Sequence, residues 1–158
     1  MAEKMTGKIE ARMKELGIEL PELAAPLANY LPYTIAGNIL TISGQVSKKG
    51  DGTLLKGRLG DDADVAAGQE AARVCALNIL AQAKAALGDL DRIKQVMKIN
   101  GFVWAAHDFT EHPQVINGAS DLLVEVLGDA GRHARAAIGM ASLPNGVSVE
   151  IDAMIEIA

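Results

Sequence analysis

The sequence predicts an α+β domain in which two helices cover one face of a β-sheet. Residues 147–157 alternate, with Val149, Ile151, Ala153, Ile155 and Ile157 on one side and Glu150, Asp152, Met154 and Glu156 on the other. That is the period of a half-buried strand. Residues 64–87 carry a long helical stripe, made of Val65, Ala72, Ala76, Ile79, Ala83 and Ala86. The order of elements is helix, strand, strand, short strand, helix, strand, helix, strand, strand. Packing both long helices on one sheet face is the simplest way to bury them. Composition alone admits α/β as well as α+β.

Each element has a local reason. Residues 2–16 read as an exposed amphipathic helix on Ile9, Met13 and Leu16, ended by Gly17. Pro21, Pro26 and Pro32 then interrupt regular structure. Residues 33–36 form a short strand, Gly37-Asn38 a tight turn, and the β-branched run 39–43 a second strand. Lys48-Lys49-Gly50-Asp51-Gly52 is a loop, followed by a short strand over 53–56. Asp64 caps the long helix and Gly88 stops it. Residues 93–104 follow as a strand. Residues 113–127 form the second helix, with Pro113 in its first turn and Gly128 at its end. Residues 134–141 make a strand and residues 143–146 a turn into the last strand.

Composition narrows the function. The chain has 158 residues, 49% hydrophobic and 22% charged, which excludes a disordered chain. No apolar run approaches a bilayer span of about 20 residues, and residues 1–16 lack a signal-peptide stretch. One cysteine cannot make an internal disulfide and fits a reducing, cytoplasmic setting. The net charge of −5 and only five aromatic residues argue against a nucleic-acid partner. The core must come from Ala, Val, Ile and Leu. Its modest burial per residue points toward further burial between chains.

The chemistry-bearing residues are few. His107 and His112 lie five apart and His133 is distant, without HExxH or CxxC, so they read as surface or loop histidines and no metal is expected. Cys75 reads as a buried, inert thiol. No phosphate-cradling glycine motif is present. Glu150 and Asp152 share a strand face, either solvated or set in a subunit cleft. Arg135 is either a strand-end arginine with a buried stem or a fork for a carboxylate.

The last 24 residues, Arg135-Ala-Ala-Ile-Gly-Met-Ala-Ser-Leu-Pro-Asn-Gly-Val-Ser-Val-Glu-Ile-Asp-Ala-Met-Ile-Glu-Ile-Ala, resemble the C-terminal signature of the Rid/YjgF family. Gly37-Asn38-Ile-Leu-Thr-Ile-Ser-Gly-Gln45 is similar to its Gly-Asn, strand, Ser-Gly-Gln pattern. Asp64-Val-Ala-Ala and Val115-Ile-Asn117 open the two helices as in that family, and Tyr30 stands 13 residues before Ser43, the family's spacing. The likeness runs from about residue 29 to the end. It implies a domain at 29–158 behind an N-terminal extension at 1–28.

The resemblance implies a chorismate-mutase-like fold with a mixed sheet, assembled as a homotrimer with sites between subunits. Its studied members hydrolyse reactive 2-imino and 2-enamino acids to 2-oxo acids and ammonia, without metal or organic cofactor. Carried over by position, Arg135 holds the substrate carboxylate beside Ser43 and the Gly44 backbone. Glu150 orients the attacking water. Ala137 stands where many members have cysteine and offers its carbonyl; Tyr30 and Asn117 line the cleft. Gly139 replaces an acidic residue of some members. A non-catalytic trimer binding small carboxylates is the alternative. A ribonuclease is disfavoured by charge.

Overall fold

Five strands form one mixed sheet: β1 (Tyr33–Ala36), β2 (Ile39–Val46), β3 (Ile93–Trp104), β4 (Ala134–Met140) and β5 (Val149–Ile157), in the spatial order β1-β2-β5-β3-β4. This computed structural model describes residues 7–25 and 28–158. The predicted helix start at residue 2 and Pro26 lie outside the described residues. β5 runs antiparallel to both β2 and β3, whereas β3 and β4 are parallel. A parallel pair needs a crossover, and α3 (His112–Leu127) supplies it.

The two long helices, α2 (Val65–Leu87) and α3, cover one face, as predicted. The Asp64 carboxylate accepts from the Ala67 N–H at 2.8 Å, and Gly88 ends α2 in the left-handed region at φ 74°. Both end signals therefore act as the sequence implied. α2 is buried more widely than one stripe, since Ala71, Val74, Cys75 and Leu80 are buried too. Small residues let the helices approach. A Cβ on Gly118 of α3 would strike the backbone carbonyl of Gln69 on α2. The predicted strand at 53–56 reduces to isolated bridges at Leu54 and Lys56.

The alternation of β5 sets the two faces. Val149, Ile151, Ala153, Ile155 and Ile157 are buried beneath the helices, while Glu150, Asp152, Met154 and Glu156 point to the helix-free face. That second face leaves Ile138 and Met154 exposed.

The N-terminal helix α1 (Lys8–Glu15) docks on the helix layer. The N–H groups of Lys8 and Ile9 both donate to the Asp91 carboxylate, each at 2.9 Å. Those bonds hold the Asp91 carboxyl below its usual range. Glu10 pairs with Lys84 of α2, and Met13 enters the core.

Candidate functional site

The predicted residues fall into two groups. The first lies where β2 bulges. Ile42 faces Ala153 and Gln45 faces Ile151, so Ser43 and Gly44 together oppose Asp152. An extra residue of this kind bends a strand and re-aims its side chains. Glu150 sits against the bulge. A Cβ on Gly44 would come within 3.0 Å of the Glu150 carboxyl carbon, so glycine is what admits the carboxylate there. Glu150 is half-buried. Burial raises its carboxyl above the ordinary pKa, and the charge of Asp152 on the same face adds to the shift. Asp152 accepts a hydrogen bond from the Asn100 side-chain amide at 2.8 Å.

Ser43 ties the preceding segment down. Its hydroxyl donates to the Leu31 carbonyl at 2.7 Å and its N–H donates to the Pro32 carbonyl at 2.9 Å. Tyr30 is thereby held near the bulge, 61% exposed. Beside the bulge a cleft of about 470 Å³ is bounded among others by Tyr30, Ser43, Gly44 and, from α2, Asn78 and Gln82; Glu150 does not line it.

The second group lies on edge strand β4 against α3. Arg135 aligns with Ile99 of β3, a residue fully buried beneath the helices. Its side chain accordingly faces the helix layer. Nη1 donates to the Ser120 hydroxyl at 3.0 Å and Nη2 to the Pro113 carbonyl at 3.3 Å. Pro113, Asn117 and Ser120 recur on one face of α3 at helical spacing, which places Asn117 between the two anchors. Ala137 follows Arg135 on the same side of β4, aligned with Gly101.

Arg135 and Glu150 thus occupy opposite faces of the same sheet. Glu150 aligns with Phe102, and Phe102 with Ile138, on the helix-free side. One chain brings Tyr30, Ser43, Gly44 and Glu150 together, and separately Asn117, Arg135 and Ala137. Within one chain the sheet keeps the two groups apart.

Two residues join the second group without having been predicted. His133 accepts the Ser120 hydroxyl at Nε2, 2.8 Å away, and its Nδ1 lies 2.6 Å from the Gly131 carbonyl. The sequence alone reads it as a surface or loop histidine. Its place two residues before Arg135 and thirteen after Ser120 was the available signal. Desolvation lowers its pKa most, the hydrogen bond to Gly131 raises it in part, and the Arg135 charge lowers it again, for a net fall. Cys75 is fully buried, as expected, and burial pushes its thiol well up. Among the described residues no helix is long and apolar enough to cross a membrane.

This architecture has relatives. The family model described as "YjgF/chorismate_mutase-like, putative endoribonuclease" matches residues 10–151. Protein TCP17 of Trypanosoma cruzi is 49% identical over 153 residues, 96% of this chain and 96% of its own length. The crystal structure of Atu1372, a protein of unknown function from Agrobacterium tumefaciens, is 56% identical, covers 95% of this chain and 93% of its own, and superposes with a TM-score of 0.87. RidA from an Antarctic Psychrobacter is more distant, at 27% identity and a TM-score of 0.60, over 87% of this chain and 94% of its own. The sequence matches and the superpositions extend over nearly the whole length, and the chain belongs to the YjgF/chorismate-mutase-like family.

Proposed function

We propose that this protein hydrolyses small reactive 2-imino and 2-enamino acids, of the 2-iminopropanoate or 2-aminoacrylate type, to 2-oxo acids and ammonia. The observation that carries the reading is the Glu150 carboxyl, desolvated against Gly44 and beside Asp152. A carboxylate with raised proton affinity is a better acceptor for a proton of water near neutral pH. Arg135 of a neighbouring copy would clamp the substrate carboxylate, since a planar fork suits that group.

The chemistry balances with water as the only co-reactant. Water oxygen bonds to the imine carbon as Glu150 takes its proton. The C=N π pair moves to nitrogen, which collects a proton. The carbinolamine hydroxyl then gives its proton to nitrogen by way of Glu150, its oxygen closes to a carbonyl as the C–N bond breaks, and ammonia leaves; a 2-enamino acid enters this path as its imine tautomer, its β-carbon taking a proton as its nitrogen gives one up. Imines already react with water, so fixing both reactants in contact supplies the acceleration.

Placing the two groups on opposite faces of one chain favours a head-to-tail assembly. Head-to-tail contacts close into rings when the rotation permits, and the family resemblance makes the ring a trimer. The exposed Ile138 and Met154 lie on the face such contacts would cover. RNA cleavage, the activity in the family description, is disfavoured here. Glu150 and Asp152 on the helix-free face repel a phosphate backbone, while Glu156 of the same strand is paired with Lys94. The test is release of ammonia and 2-oxo acid from enzymatically generated 2-imino acids, with and without the protein. Release at the uncatalysed rate would remove the proposal and leave a binder of small carboxylates.

A further inference from the structure

Arg135 does not meet α3 through one contact but through a chain of hydrogen bonds. The order is Gly131 carbonyl, His133, Ser120, Arg135, Pro113 carbonyl. Proton directions follow from the ends inward. A carbonyl only accepts, so His133 Nδ1 carries the proton it gives to Gly131. In the neutral ring Nε2 then accepts, and the Ser120 hydroxyl turns its proton toward it. That leaves the Ser120 oxygen lone pairs facing the Arg135 Nη1–H.

The charges around His133 favour this state. Arg135 of β4 acts on it through its positive charge. From α3 the contact is the neutral Ser120. From the turn before β4 it is the Gly131 carbonyl, while Asp129 of that turn pairs with Arg132. From β3, Gln95 reaches the Arg132 carbonyl and brings no charge.

We propose that Ser120 and His133 are positioning residues that hold the Arg135 guanidinium in place before a ligand carboxylate arrives. The proposal rests on the reading of Arg135 as the carboxylate clamp. A guanidinium carries five N–H groups. Among the described residues two are used, by Ser120 and the Pro113 carbonyl, which leaves three for a bidentate partner. A free arginine side chain loses much rotamer freedom on binding. Fixing it in advance removes that cost from ligand capture.

The experiment compares Ser120→Ala, Ser120→Thr, His133→Leu, His133→Gln and Arg135→Ala as full chains. Pyruvate affinity is measured by calorimetry and imine turnover by steady-state kinetics, with melting curves as the folding check. Ser120→Ala and His133→Leu should each weaken pyruvate binding roughly 3- to 10-fold, the worth of one ordinary hydrogen bond. KM should rise in proportion with kcat unchanged. Ser120→Thr, which keeps the hydroxyl, and His133→Gln, whose side-chain oxygen can replace Nε2 as acceptor, should restore most of the affinity. His133→Leu leaves α3 untouched and gives the answer if Ser120→Ala fails to fold. Wild-type affinity and KM in Ser120→Ala and His133→Leu, with binding abolished in Arg135→Ala, would overturn this inference alone. Unchanged binding in Arg135→Ala would overturn the clamp itself.

Discussion

At the β2 bulge, Glu150 has lost water and gained Asp152 as a like-charged neighbour. At the β4 edge, Arg135 keeps two hydrogen bonds from its own chain, backed by His133. One charge is held at a disadvantage and the other is held in place. The difference suggests a division of labour. A carboxylate whose charged form is disfavoured is suited to trading protons. An arginine already oriented is suited to capturing an anion. Rate should therefore be most sensitive on the bulge side and affinity on the edge side.

The largest effect should come from Glu150→Gln. General base catalysis contributes about 10²- to 10⁴-fold, so turnover should fall by roughly 100-fold or more while pyruvate affinity, read by calorimetry, stays near that of the wild type. Equal losses in rate and affinity would erase the contrast between the halves. Arg135→Lys keeps the charge and loses the fork. It should weaken pyruvate binding roughly 10- to 150-fold, the range for a charge-assisted hydrogen bond.

Mixing the two defects sharpens the comparison. If each site draws its halves from neighbouring copies, Glu150→Gln and Arg135→Ala chains refolded together in equal amounts regain complete sites. Random assembly in a ring gives about a quarter of wild-type activity from two nearly inactive parents. No recovery in verified mixed assemblies would mean that the halves do not meet between chains.

The smallest effect concerns acidity. The His133 pKa is lowered in the folded chain from its ordinary 6.5. Below 6.5 the unfolded chain takes up this proton before the folded one does. The stability linked to neutral His133 is thus present above 6.5 and lost as pH falls through its lowered folded value. His133→Gln should show a slightly flatter decline of melting temperature across that window, measured by scanning calorimetry.

Much of the fold was legible because its signals are local. The Asp64 cap, the Gly88 stop and the alternation of β5 each lie within one element. The residues of β4 gave no such signal. Ala-Arg-Ala-Ala-Ile-Gly-Met lacks alternation, so the side on which Arg135 stands is decided by its pairing with β3. The site was legible as residue types through family likeness, but its partition was not. Which face Glu150 and Arg135 occupy depends on a sheet order that separates β5 from β4 by β3. The Ser120–His133 link joins a helix to the turn before β4, and neither segment alone implies it.

The capping of α1 by Asp91 bears on the order of events during synthesis. An eight-residue helix is too short to persist alone in water. Its first free N–H groups wait for a carboxylate that lies 83 residues later in the chain. At a translation rate of about 5–20 residues per second, that carboxylate is made roughly 4–17 s after the start of the helix it will cap. The cap of α1 is therefore made only after β1, β2 and α2 have been synthesised. A nascent chain stalled before Asp91 should leave α1 open to proteases that cannot cut it in the finished protein.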